Sequence, residues 1–197
     1  MIEEAEIAVA VLAGGEGSRI GGEKPLIRLG ETTLVERAFD RARGWSKQAV
    51  VIVRTVGQLG ALDLPVTTDV PDIEGPLAGL AAGLQWARQQ EAKALLSLPC
   101  DMPNLPDDMA SRLARAIGGC AAALASSGGI LHPVCGLWRV EAMEMMNNYC
   151  STGQRSLRGF AENIGFTEVS WATEQVDPFF NINTGADLEM AEVMLRG

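Results

Sequence analysis

Seven apolar residues in a row, Ile7 to Ala13, lead straight into Gly14-Gly15, and this segment restricts the fold more than any other. A strand with one wet face alternates apolar and polar residues; this run has no polar side, so it needs a covering layer on each face. Helices on both faces of a parallel sheet supply such layers, and the rest of the chain keeps to that plan. Thr33 and Glu36 form a capping box, after which Leu34, Val35, Ala38, Phe39 and Ala42 share one helical face until Gly44. Ala49 to Val53 reads as a second buried strand, and Pro65 to Thr68 as a third that runs into Asp69. Leu77, Leu80, Leu84 and Ala87 predict a helix after Gly75-Pro76, and Lys93 to Leu98 a strand closed by Pro99. Pro106 with Asp107 and Asp108 reads as the first turn of a helix running to Ile117. Cys120 to Ala125, Leu131 to Val140 and Phe166 to Trp171 add strands, and a last helix starts at Thr184, capped with Asp187.

Strands alternating with helices imply an α/β class: a single-domain, Rossmann-like three-layer α/β/α fold over residues 1–197 with a mostly parallel, twisted sheet. A chain of 197 residues, 47% hydrophobic, suits one core, and no repeat or linker divides it. In open sheets of this kind ligands bind beyond the carboxyl ends of the strands. That rule directs attention to Gly14 onward, to Asp69 and to Cys100-Asp101.

A formal charge of −9 leaves no basic face for a polyphosphate backbone, so nucleic acid and anionic membrane are not expected partners. An anionic ligand would need a few placed Lys or Arg residues. The apolar runs fall far short of the roughly 18 residues of a membrane-spanning helix. The acidic start Met1-Ile2-Glu3-Glu4 does not read as a secretory signal, and a cytoplasmic protein is expected. Cys100, Cys120, Cys135 and Cys150 form no Cys-x-x-Cys pair and read as reduced core cysteines.

Four segments could carry chemistry. From Gly14 to Gly22, five glycines between a strand and a helix permit close backbone approach, so that N–H groups can converge on phosphate oxygens. A plain glycine-rich surface loop fits the glycines equally well; Arg19 and Lys24 inside the segment favour phosphate. The pattern is neither a Walker loop nor the dinucleotide fingerprint. In Pro99-Cys100-Asp101-Met102-Pro103, an acid at a strand end between two prolines suits a hard cation, and Mg²⁺ needs only one or two carboxylates; a turn aspartate is the alternative. Asp69 ends another strand ahead of Gly75-Pro76-Leu77-Ala78-Gly79, where a helix start favours anions, though close packing explains these glycines as well. Asn181 and Asn183 alternate as on a short strand, sharing a face towards a ligand or metal, or else serve as helix caps. His132, the only histidine, reads as structural, and Met143, Met145 and Met146 as packing.

Together Leu12-Ala13-Gly14-Gly15, Arg19 to Lys24, Gly75 to Gly79, Pro99 to Pro103, His132-Pro133 and Asn181 to Thr184 resemble the molybdenum cofactor guanylyltransferases, in that family's order and over nearly the whole chain. The resemblance implies the nucleotide-diphospho-sugar transferase type of fold and transfer of GMP from GTP to the terminal phosphate of Mo-molybdopterin, with release of pyrophosphate. It implies that Leu12, Ala13, Gly14 and Gly15 contact the nucleotide along with Asp69, Gly75 and Pro76. Lys24 would meet the phosphates, Arg19 would be the loop arginine, and Asp101 would hold Mg²⁺. Arg155, in the Gly153-Gln154-Arg155 loop, and the Asn181 and Asn183 pair would face the acceptor. Molybdoenzymes or cofactor-delivery proteins are the protein partners it implies. Two positions depart from the family pattern: Glu23 stands where Asp usually precedes the lysine, and Val53 where the second strand often ends in Asn or Ser near the base. A cytidylyl- or sugar-phosphate nucleotidyltransferase and a non-catalytic nucleotide-binding adaptor are the rival readings. Lys24, taken as an exposed loop residue, is expected to matter for turnover and little for stability.

Overall fold

The doubly buried first strand finds its two layers in the computed structural model, which describes residues 2–14, 24–70, 73, 75–173 and 176–195. The elements in chain order are β1 (Ile7–Leu12), β2 (Arg28–Leu29), β3 (Thr32–Thr33), α1 (Leu34–Trp45), β4 (Ala49–Val53), β5 (Val66–Thr68), α2 (Pro76–Gln89), β6 (Ala94–Pro99) and α3 (Met109–Ala116). They continue with β7 (Ala122–Ser127), β8 (Ile130–Arg139), α4 (Ala142–Ser151), α5 (Leu157–Ile164), β9 (Phe166–Trp171) and α6 (Gly185–Met194). One sheet runs in the order β5-β4-β1-β6-β8-β7-β9, and β8 alone is antiparallel to its neighbours. The mostly parallel sheet with helices on both faces is the one the apolar runs predict.

Side chains of β1 divide by parity. Ile7, Val9 and Val11 join Val35, Ala38 and Leu113 in a core under α1 and α3, while Ala8 and Ala10 join Leu80, Leu84 and Phe160 under α2 and α5. The α2 side is lined with small residues because α2 lies very close. A Cβ on Gly83 would stand 2.7 Å from Leu95 Cδ2 and 3.2 Å from the Ala10 Cβ. Gly inside a helix costs about 1 kcal/mol relative to Ala; here it lets the helix settle on the sheet. Gly79, one turn earlier, does the same beside Leu12.

Between β7 and β8 the register slips. Leu124 pairs with Gly136 and the next residue, Ala125, with His132, so residues 133–135 bulge. Pro133, which has no N–H for the ladder, falls in this bulge.

Three expectations are corrected. The helix expected from Pro106 begins at Met109, because the Asp107 and Asp108 side chains are engaged elsewhere: Asp107 pairs with Arg41, and Asp108 accepts from Trp171 Nε1 at 2.9 Å. Residues 181–183 form no strand. Ile182 is buried with Leu29, Leu34 and Ala191, pinning the segment and α6 against the hairpin formed by β2 and β3. Lys24 is not exposed: its side chain is 12% accessible.

Candidate active site

The chain runs from β1 to β4 and β5 on one side of the sheet and then returns to β6 on the other, so the strand order reverses at β1. Leu12 pairs with Pro99 at the carboxyl ends of β1 and β6. A crevice at such a reversal is where open α/β sheets bind ligands, and two groups of sequence-singled residues gather there.

The first group surrounds Lys24, which opens a single 3-10 turn, Lys24–Leu26. Its ammonium forms an ion pair with Asp101 Oδ2, and donates to Asn183 Oδ1 at 2.8 Å and to Asn181 Oδ1 at 3.3 Å. Asp101 is 14% accessible, directly beyond the buried β6. Its backbone carbonyl accepts from Ile182 N–H at 2.9 Å, so the same tie that buries Ile182 turns the two flanking asparagines towards Lys24. The capping box of α6 holds the far side: Asn183 N–H and Thr184 N–H both donate to Asp187 Oδ2, at 2.9 and 2.8 Å. These bonds hold the Asp187 carboxyl below its ordinary pKa. Asp101 Oδ1 is buried without a hydrogen-bond partner among the described residues. A buried carboxylate oxygen left open is costly unless a cation or donor completes it. An open carboxylate oxygen is a hard donor of the kind that Mg²⁺ or Ca²⁺ takes, while the two amide oxygens are engaged by Lys24. Among the described residues no three His, Cys, Asp or Glu side chains cluster as a metal cage.

The second group surrounds Asp69. Its N–H continues the β4 ladder to the Val53 carbonyl at 2.9 Å, and its carboxyl enters a space between two glycines. A Cβ on Gly14 would lie 3.1 Å from Asp69 Oδ2, and one on Gly79 3.4 Å from Oδ1. Burial raises the Asp69 pKa, partly opposed by the nearby Arg54 cation. A cavity of about 270 Å³ opens beside it between β5 and α2, lined by Thr67, Thr68, Val70 and Trp86. Gly75, at φ +70°, makes the turn into α2, and Pro76 takes the first helical position. A larger groove, about 610 Å³, lies along α1 and includes neither Asp69 nor Lys24 in its lining.

Gly15 and Arg19 lie outside the described residues. Arg155 stands apart from both groups in its recorded contacts: its guanidinium donates to the Cys150 and Gln154 carbonyls, closing the end of α4. His132 accepts or donates at Ser127 Oγ, 2.8 Å away, and stacks on Phe179 with centroids 4.8 Å apart, the structural part expected of it. The Val53 side chain is buried in the core under α1 and α3. The cysteines are free, with Cys100 and Cys135 buried. No helix among the described residues is long and apolar enough to cross a membrane.

One residue escaped the sequence reading. Gln58, in the loop after β4, bonds the ends of both β1 and β4. The glycines flanking it, Gly57 and Gly60, were the only available signal, marking a turn but no role.

Residues 9–168 match the MobA-like NTP transferase domain. A molybdenum cofactor guanylyltransferase from Cereibacter sphaeroides is 37% identical over 188 residues, 94% of this chain and 95% of that protein. Among solved structures, molybdopterin-guanine dinucleotide biosynthesis protein A from Archaeoglobus fulgidus superposes with a TM-score of 0.77 at 24% identity, covering 96% of this chain and 98% of that one. A 4-diphosphocytidyl-2C-methyl-D-erythritol synthase from Anaerococcus prevotii superposes at 0.75 with 14% identity, covering 100% of this chain and 98% of its own. The fold is therefore shared between a guanine-named and a cytidine-named protein.

Proposed function

Because the chain belongs to the MobA-like NTP transferase family, we propose that it transfers GMP from GTP to the terminal phosphate of Mo-molybdopterin, yielding molybdopterin guanine dinucleotide and pyrophosphate. Full-length similarity to molybdenum cofactor guanylyltransferases supports the substrates. The observation that carries the chemistry is the convergence of Lys24, Asp101, Asn181 and Asn183 at the β1/β6 reversal, although the asparagines lie 157 and 159 residues from the lysine.

No covalent intermediate is needed, since the acceptor phosphate is already a nucleophile and the barrier is the approach of one anion to another. Lys24 supplies a positive charge held ready at the crevice, and Arg19, by the family resemblance alone, would bring a second. Asp69 and the glycines about it receive the nucleoside, and Gly75-Pro76 brings the start of α2 towards the phosphates. Asn181 and Asn183 orient Lys24 and meet the acceptor; Arg155, whose guanidinium closes the end of α4, joins them by family likeness alone. Asp101, through the open Oδ1, would hold Mg²⁺. Bound there, Mg²⁺ supplies charge neutralisation of the triphosphate and of departing pyrophosphate. The reading carries with it a cytoplasmic location and, as recipients of the product, molybdoenzymes or cofactor-delivery proteins.

A cytidylyl reading is kept open by one observation: Val53 is turned into the core, so the family's polar residue near the base has no counterpart there. Thermal stabilisation by GTP, CTP, ATP and UTP with Mg²⁺ separates the two, since a ligand bound only to the native state raises its stability by mass action. Selective stabilisation by GTP is expected; selective stabilisation by CTP would overturn the guanylyl assignment.

A further inference from the structure

The ladder between β1 and β4 is regular until Ala13 N–H donates to the Ile52 carbonyl at 2.9 Å. In a parallel pair the next rung would run from Arg54 N–H to the Ala13 carbonyl. The Gln58 carboxamide stands in that rung. Its Oε1 accepts from Arg54 N–H at 2.8 Å and its Nε2 donates to the Ala13 carbonyl at 2.9 Å. Both backbone groups are satisfied, yet the two strands are held a side chain's width apart where they would otherwise close.

The loop is built to present this side chain. Gly57 and Gly60 take φ +85° and +61°, Gln58 N–H bonds the Thr55 carbonyl at 3.2 Å, and Leu59 is buried in the core beside it. The separation falls at a sensitive place. Gly14 follows Ala13 directly, and the space beyond its Cα is bounded by Asp69 Oδ2 and by Arg54 N, the atom that Gln58 holds.

We infer that Gln58 is a positioning residue for the nucleotide: its carboxamide replaces the last β1/β4 rung and thereby sets the gap into which the nucleoside enters between Ala13-Gly14 and Asp69. The inference rests on the nucleotidyltransferase reading above, which assigns Ala13, Gly14 and Asp69 to the nucleotide.

Two variants test it. Gln58→Leu removes both bonds at similar size. Gln58→Glu keeps the acceptor for Arg54 N–H, but its carboxylate cannot donate to Ala13; protonated, it regains one donor and one acceptor. Nucleotide affinity is measured by calorimetry with GTP and with CTP in Mg²⁺ buffer, alongside the KM values for nucleotide and acceptor. For the nucleotide that the wild type binds, Gln58→Leu should weaken affinity roughly tenfold, about 1.4 kcal/mol, because the gap that Gln58 presets must then be formed at binding. KM for the acceptor should stay unchanged, a split that a merely structural role would not give. Gln58→Glu should recover towards wild type as pH falls through the carboxyl range. Affinity within twofold of wild type in Gln58→Leu overturns the inference. Should that variant not fold, a pH-independent ratio of Gln58→Glu to wild type overturns it instead. A wild type that binds CTP and not GTP sinks the guanylyl assignment while leaving Gln58 measurable with CTP.

Discussion

On the β5 side of the crevice the Asp69 carboxyl stands 3.1 Å from where a Cβ on Gly14 would be, while on the β6 side the Asp101 carboxyl is covered by Lys24 and, through it, by two asparagines. The first region is made by atoms that are missing. Gly14 and Gly79 leave room around a half-buried acid whose ionisation burial opposes. The second is made by atoms that are present: one ammonium with three oxygen partners, and a single carboxylate oxygen left open. A space suits a ligand recognised by fit, and a charged network suits one recognised by charge. Under the proposed function, the difference suits the β5 side to the nucleoside, and the β6 side, together with the start of α2, to the phosphates and a metal.

Removing charge from the β6 side should have the largest effect. Lys24→Ala is expected to lower kcat by about 10²- to 10³-fold, the loss typical of one preorganised stabiliser. It should also destabilise the ligand-free protein by up to about 3 kcal/mol, because it leaves the largely buried Asp101 without its cation. Denaturant melts of Lys24→Ala, Asp101→Asn and the double variant check this: the double variant should be less destabilised than the sum of the singles. Additive losses would mean that the two side chains do not work as a pair.

Adding an atom to the β5 side comes next. Gly14→Ala should raise KM for GTP roughly tenfold, since a Cβ in that space displaces Asp69, while kcat changes little. Gly79→Ala, at 3.4 Å, should do less. A fall in kcat at unchanged KM would place Gly14 on the chemical rather than the binding side of the comparison.

The smallest effect concerns ionisation. Burial raises the Asp69 pKa in the folded chain, so its contribution to stability is complete below the unfolded value of about 4 and is lost as pH rises through the folded value. Tm of the wild type should therefore decline over that window relative to Asp69→Asn, and the variant should be the more stable at neutral pH although it binds nucleotide less well. Parallel Tm curves for the two proteins across the window would show Asp69 to be freely hydrated.

What the sequence made legible follows the same division. The β5 side is assembled from residues that end neighbouring strands, so the apolar run up to Ala13 and the short Pro65 to Thr68 strand locate Gly14 and Asp69 without a structure. The β6 side depends on closure over 157 residues. Asn181 and Asn183 were singled out, but their alternation was read as a strand, because the pattern does not reveal that Ile182 is held by Leu29, Leu34 and Ala191. Lys24 is expected at the surface and is instead largely covered, for the same reason: Asp101 and the two asparagines around it are remote in sequence. The start of α3 was missed because Asp107 and Asp108 look like first-turn acids and instead serve Arg41 and Trp171. Gln58 had no periodic or charged signature at all; a side chain that replaces a ladder rung is visible only once both strands are in register.

Incubation with GTP labelled at the α-phosphate and molybdopterin as acceptor in Mg²⁺ buffer tests the account most directly. Label should appear in a molybdopterin dinucleotide with one pyrophosphate released per transfer, and Lys24→Ala should abolish nearly all of it. Transfer from CTP in preference to GTP, or labelled product formed equally well by Lys24→Ala, would contradict the account.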